Sequence, residues 1–148
     1  MELTKVTDKS EITKYIGLLY SELFDKQAVP SKKDFENIFS QMKDPNNNHD
    51  AYCLKKDNET VAFFTLSESF SIFAHGNYGI INELWVNGKF RSKGIGRVVI
   101  QEIIKIGAER NWKRIDVSAP TDEKWERTFN FYKKNGFTFT GKKLKFCL

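Results

Sequence analysis

The sequence predicts one domain of the α/β class, with helices packed on a mixed sheet. Three observations support this. The spacing of apolar residues switches from helical to alternating and back along 148 residues. No repeat, low-complexity tract or Pro/Gly/Ser-rich linker divides the chain, which reads as a single domain over 1–148. Near its middle, FRSKGIG (90–96) stands between an apolar strand pattern and an amphipathic helix pattern.

Taken in order, ELTKV (2–6) alternates as a first strand. Asp8 and Glu11 have the spacing of a capping box, and Ile12, Tyr15, Ile16, Leu19 and Leu23 then recur at helical spacing. Pro30 and Ser31 open a second helix with Phe35, Ile38, Phe39 and Met42 on one face, and DPNNNHD (44–50) is a loop. AYCLKK (51–56) and TVAFFTLSESF (60–70), joined by DNE, form a hairpin. YGIINELWVN (78–87) is a long strand. Ile95, Val98, Val99, Ile103 and Ile104 stripe a helix that ends near Asn111. RIDVS (114–118) is a short strand. Thr121 caps a last helix, with Trp125, Phe129 and Tyr132 on one face and Gly136 at its stop. FTFTG and KLKFCL close the chain as a hairpin. The order is β-α-α-β-β-β-α-β-α-β-β.

Composition narrows the function. A formal charge of +5 and a pI near 9.1 favour anionic ligands, yet the 24 cations are scattered. Nucleic acid would call for a basic stripe or a known motif, and neither is present. No apolar run approaches the roughly 18 residues of a membrane span. The first residues, MELTKVTDKSE, lack the apolar core of a signal peptide, so a cytoplasmic protein is expected. Cys53 and Cys147 have no metal-like or redox-like spacing and read as free thiols; no metal site is expected. His49 and His75 fall in loops and read as surface residues.

Gly94 and Gly96 stand at a helix start, where each glycine costs about 1 kcal/mol relative to alanine. A helix start exposes unpaired N–H groups and the positive end of the macrodipole. A glycine-rich approach lets those groups close on a phosphate, with Arg91, Lys93 and Arg97 adding charge. The alternative is a glycine pair that eases helix–sheet packing. The dinucleotide pattern G-x-G-x-x-G fails at Val99, and no G-K-[ST] follows.

ELWVNGKFRSKGIG (83–96) resembles the signature of the GCN5-related N-acetyltransferases (GNAT), a strand of type L-x-V running into [QR]-x-x-G-x-[GA]. The matching residues are Leu84, Val86, Arg91, Gly94 and Gly96, and FYKKNGF (131–137) is similar to the family's second signature. The resemblance covers roughly residues 60 to 140. It implies a mostly antiparallel sheet of six or seven strands with about four helices, splayed between the strands near 78–87 and 114–118. It also implies acetyl-CoA as co-substrate and a primary amine, on a small molecule or a protein, as acceptor. The backbone of Arg91, Ser92, Lys93, Gly94, Ile95, Gly96 and Arg97 would hold the pyrophosphate, and that of Leu84 and Val86 the pantetheine amides. Homodimers are common among similar proteins.

An amine with a pKa near 10.4 is free base in roughly one molecule in 2,500 at pH 7, so a proton acceptor is needed. Glu83 is the candidate, through water or by attracting a cationic amine; the alternative is a structural carboxylate paired with a lysine. Alternation puts Ile81, Glu83 and Trp85 on one face, away from Leu84 and Val86. Tyr132 occupies the family's tyrosine position and is the expected proton donor to the leaving thiolate; its local spacing also suits a core tyrosine. Trp125 stands where the family often has asparagine, and Thr128 where alanine is usual. A silent CoA-binding module is the alternative function. Trp85, Phe70 and Phe73 read as packing residues, or as lining an acceptor pocket.

Overall fold

The computed structural model describes residues 1–23, 29–119 and 122–148. They form two compact units, Met1–Asp116 and Val117–Leu148. The elements are β1 (Glu2–Val6), α1 (Lys9–Leu23), α2 (Lys32–Met42), β2 (His49–Lys56), β3 (Glu59–Ser71), β4 (Gly76–Val86), α3 (Ile95–Glu109), β5 (Ile115–Val117) and α4 (Glu126–Lys134). Short 3₁₀ turns at Gly88–Phe90 and Glu123–Trp125 precede α3 and α4. No helix among the described residues is long and apolar enough to cross a membrane.

Helix starts follow their caps. The Asp8 carboxylate accepts the Glu11 N–H at 2.8 Å. Ser31 and Asp34 form the reciprocal box that opens α2. The Glu11 side chain does not complete a box at Asp8; it lies 3.9 Å from Lys55 and accepts from Cys53 Sγ at 3.7 Å. The expected cap Thr121 lies outside the described residues.

The strands are ordered β1-β2-β3-β4-β5, and the first three pairings are antiparallel. Lys113 N–H bonds Asn77 O at 2.9 Å, and Gly79 N–H bonds Arg114 O at 3.1 Å. These contacts climb along both chains together, so β5 runs parallel to β4 and the sheet is mixed. Five strands, fewer than the six or seven expected, appear among the described residues. Residues 137–148 form no strand, and Leu144 and Phe146 are about nine-tenths exposed (92% and 88%). Their alternation carries β-propensity, but a two-stranded hairpin without a sheet to join is marginal.

One sheet face packs under α1 and α2, where Val6, Ala51, Cys53, Phe63 and Trp85 meet Ile12, Tyr15, Leu19, Phe35 and Phe39. Tyr15 stacks on Phe63 at 5.3 Å and tilts against Trp85 at 5.4 Å. The buried stripe of α3 (Ile95, Val99, Ile100, Ile103, Ile106) lies outside that cluster, and α3 packs on β3 and β4 from the other face. Ile104, expected in the stripe, is half exposed. Phe70 and Phe73, read as packing residues, are exposed with Ile72 at the β3–β4 tip. His49 begins β2 rather than lying in a loop.

Trp112 fixes the far end of α3. An added Cβ on Gly79 would lie 2.0 Å from the indole, and one on Gly107 3.1 Å from it. The indole N–H donates to Glu68, and Arg110 lies over the ring. Arg110 also pairs with Asp50 at 2.6 Å and Tyr52 Oη at 2.9 Å, and Lys5 reaches the same carboxylate at 2.6 Å.

Candidate active site

The first unit carries a strand edge and a helix entrance side by side in sequence. In β4 the register slips: Leu66 faces Ile81, Thr65 faces Glu83, and Asn82 is the extra residue of a bulge. The slip has two results. Paired residues share a face, so Ile81 sides with Leu66 while Glu83 and Trp85 side with Thr65 and Phe63, toward α1 and α2. The expectation of Ile81, Glu83 and Trp85 on one face is therefore corrected; strict alternation ignores the inserted residue.

The second result concerns the backbone. Before the bulge, Asn77 and Gly79 turn their polar groups toward β5. After it, Asn87 N–H bonds Val61 O on β3 at 3.0 Å, so Leu84 and Val86, of opposite parity, turn theirs away from β3. Counting from Arg114 opposite Gly79, a strand that ends at Val117 stops short of Leu84. The edge at Leu84 and Val86 thus lies beyond the end of β5.

Glu83 is half-buried. Its carboxylate accepts from the Thr65 hydroxyl, and its own N–H donates to Thr65 Oγ1 at 3.2 Å. Thr65 is 1% exposed and lies opposite Glu83, beside the bulge. Among the described residues the hydrogen-bond partner of the carboxylate is the Thr65 hydroxyl. Tyr20 of α1 is close enough to feel the carboxylate: burial, then the Glu83 charge, raises its phenol pKa.

Past β4, Asn87 caps the 3₁₀ turn through its side chain, accepting Lys89 N–H at 3.1 Å. Ser92 (φ 60) and Gly94 (φ 80, ψ −1) adopt left-handed backbone, and α3 begins at Ile95. Among the described residues, Gly94 has no neighbour within 4 Å of where a Cβ would stand. Val98 N–H makes the first i→i−4 bond, to Gly94 O at 3.2 Å; helix geometry leaves the amides of Ile95, Gly96 and Arg97 aimed out of the entrance. The two glycines differ: Gly94 makes the left-handed turn, and Gly96 lies within the first turn of α3.

The nearby cations are not equivalent. Arg91 Nε donates to Val86 O at 3.0 Å, and its guanidinium pairs with Glu22 at the end of α1. Lys93 lies over the Phe90 ring at 5.7 Å, and Arg97 is exposed.

In the second unit, Tyr132 is 8% exposed, with Phe131 and Phe137 edge-on at 5.2 and 5.4 Å. Burial pushes its phenol up to about 12. Gly136 (φ 93) follows α4, and Phe137 N–H returns to Tyr132 O at 3.1 Å. Trp125 caps α4 without a side-chain bond. Sequence reasoning missed Thr65, Glu22 and the bulge. Thr65 lies in an apolar run without a distinguishing mark, and Glu22 is 63 residues from the indole it meets.

Strand, left-handed glycine and open helix entrance follow one another in this order, within a mixed sheet that carries helices on both faces. The description of the Acetyltransferase (GNAT) family matches residues 16–137, and the chain belongs to that family. An uncharacterised N-acetyltransferase of Archaeoglobus fulgidus is 29% identical over 118 residues, 76% of this chain and 78% of its own. Among solved structures, a transcriptional regulator from Bacillus halodurans superposes with a TM-score of 0.81 at 17% identity, over 99% of each chain. An aminoglycoside 6′-N-acetyltransferase from Acinetobacter haemolyticus gives 0.73 at 14% identity, over 100% of this chain and 98% of its own. These two likenesses concern the fold.

Proposed function

We propose that the protein is an N-acetyltransferase that moves the acetyl group of acetyl-CoA to a primary amine by direct transfer in a ternary complex. The observation that carries this is Gly94, left-handed and open at the entrance of α3, inside a family match that spans most of the chain. Its missing side chain leaves the amides of Ile95, Gly96 and Arg97 accessible to a diphosphate, which the positive end of α3 favours. The outward polar groups of Leu84 and Val86 suit the amides of the pantetheine arm, with Val86 O already engaged by Arg91.

In the reaction, the amine nitrogen bonds to the thioester carbonyl carbon, the C–S bond breaks, and one amine proton leaves. We assign receipt of that proton to Glu83, through water, with the Thr65 hydroxyl fixing the carboxylate. We assign stabilisation of the leaving thiolate to Tyr132. A phenol held near 12 stays protonated at neutral pH. Full transfer to a thiolate of pKa about 8.5 would be uphill, so a hydrogen bond to the developing charge is the larger contribution. The acceptor class is an amine; the aminoglycoside enzyme among the fold relatives supports this choice.

The test mixes protein, acetyl-CoA and an amine panel, and follows released thiol. Thiol release that requires both substrates, with product mass increased by one acetyl group, is expected. Saturable CoA binding with no product over a broad panel would favour the silent CoA-binding module instead.

A further inference from the structure

The charge beside a diphosphate cradle ordinarily reads as a phosphate ligand. Arg91 is arranged otherwise. Its Nε bonds Val86 O, five residues back, and its guanidinium pairs with one oxygen of Glu22. The other Glu22 oxygen accepts Trp85 Nε1 at 3.3 Å, and Trp85 is 6% exposed in the core under α1. Both carboxylate oxygens are thus committed, one to a core indole and one to the loop. Glu22 therefore joins the last turn of α1, the end of β4 and the first residue of the left-handed turn.

We propose that Glu22 and Arg91 are positioning residues for the donor site, acting as one two-point tether that sets the path of residues 91–94. The inference rests on the donor-site reading above. A guanidinium suits this task because its planar fork serves two acceptors at once, whereas an ammonium is a point charge. Neutralised by Glu22, Arg91 contributes backbone geometry rather than charge to the cradle.

The experiment titrates CoA calorimetrically into wild type, Glu22→Gln, Arg91→Lys, Arg91→Ala and the Glu22→Gln/Arg91→Ala double variant. Melting temperatures are recorded alongside, and kcat and KM are taken for any amine accepted. The pair is partly exposed, so each single variant is expected to weaken CoA binding roughly three- to fivefold. Lysine should do no better than alanine. The double variant should weaken binding no further than either single one, because both changes cut the same tether. KM for acetyl-CoA should rise while kcat holds. Full affinity in Arg91→Lys, tighter binding in Glu22→Gln through a freed guanidinium, or additive losses would each overturn the proposal and make Arg91 an independent phosphate ligand. Gly94→Val serves as the reference. If wild type binds CoA and Gly94→Val does not, while both tether variants match wild type, only the tether falls. Wild type that fails to bind CoA would overturn the donor site, and the tether with it.

Discussion

Gly94 offers a way to separate what the fold needs from what the ligand needs. At φ 80 and ψ −1 its backbone is left-handed, where an L side chain costs about 1–2 kcal/mol. A Cβ there meets nothing within 4 Å, so no clash adds to that cost. Alanine also restricts the unfolded chain, which returns about 0.4–1 kcal/mol. The net loss for Gly94→Ala is therefore about 1 kcal/mol, or roughly 2–4 °C in Tm for a chain of this size. Asparagine tolerates the left-handed region, so Gly94→Asn should melt closer to wild type. Both side chains, however, project into the space assigned to the diphosphate. In a thermal-shift titration, CoA at a hundred times its Kd should stabilise wild type by about 2.7 kcal/mol. That corresponds to roughly 5–10 °C. Both variants should lose that shift at the same concentration. A folded Gly94→Asn that kept the full CoA shift would refute the cradle, because the only group added would then stand where no ligand goes.

Other outcomes follow from the packing and the charges. Tyr132→Phe should lower kcat by about two orders of magnitude with little change in KM for acetyl-CoA, as read from initial rates. Because burial raises the Tyr132 pKa, its neutral form is favoured in the fold. Its contribution is complete below about pH 10 and lost as pH rises toward about 12, so denaturant melts at alkaline pH should fall more steeply in wild type than in Tyr132→Phe. Gly79→Ala should be strongly destabilising, by about 3 kcal/mol, since the new Cβ would stand 2.0 Å from the Trp112 ring and must displace it. Burial of Asp50 opposes its ionisation, but hydrogen bonds and charge from Lys5 and Arg110 outweigh that and hold its carboxyl below the usual range. Its stabilisation is present above about pH 4 and fades as pH falls through the lowered value; Asp50→Asn should flatten acid melting curves there.

The parts of the fold legible in sequence were those whose signal is local. Ile12, Tyr15, Ile16 and Leu19 recur at helical spacing and are buried on α1; Ser31 stands before α2 and caps it. The turn at 91–94 could be read because glycine at a helix start costs stability unless something uses it. The bulge at Asn82 was illegible, since its neighbours read equally well in unbroken alternation and only pairing with β3 reveals the extra residue. For the same reason alternation alone places Ile81 on the wrong face. The C-terminal alternation showed what residues 137–148 favour but not whether a sheet edge takes them. Glu22 carried no mark at all: its partners come from β4 and the following turn, and helical spacing says only that it lies in the last turn of α1.

The extra residue in β4 also limits how this chain is free to change. Along a regular strand, the direction of a side chain and the direction of its amide are set together. Inserting Asn82 shifts both at once, turning Glu83 toward the helices that cover one layer and Leu84 and Val86 toward the open edge. Substitution at position 83 alters the chemistry on offer but not its orientation. Reorienting it takes a gain or loss of one residue, and that same step would turn the outward amides inward, so the two halves of the proposed site are inherited or lost as a pair.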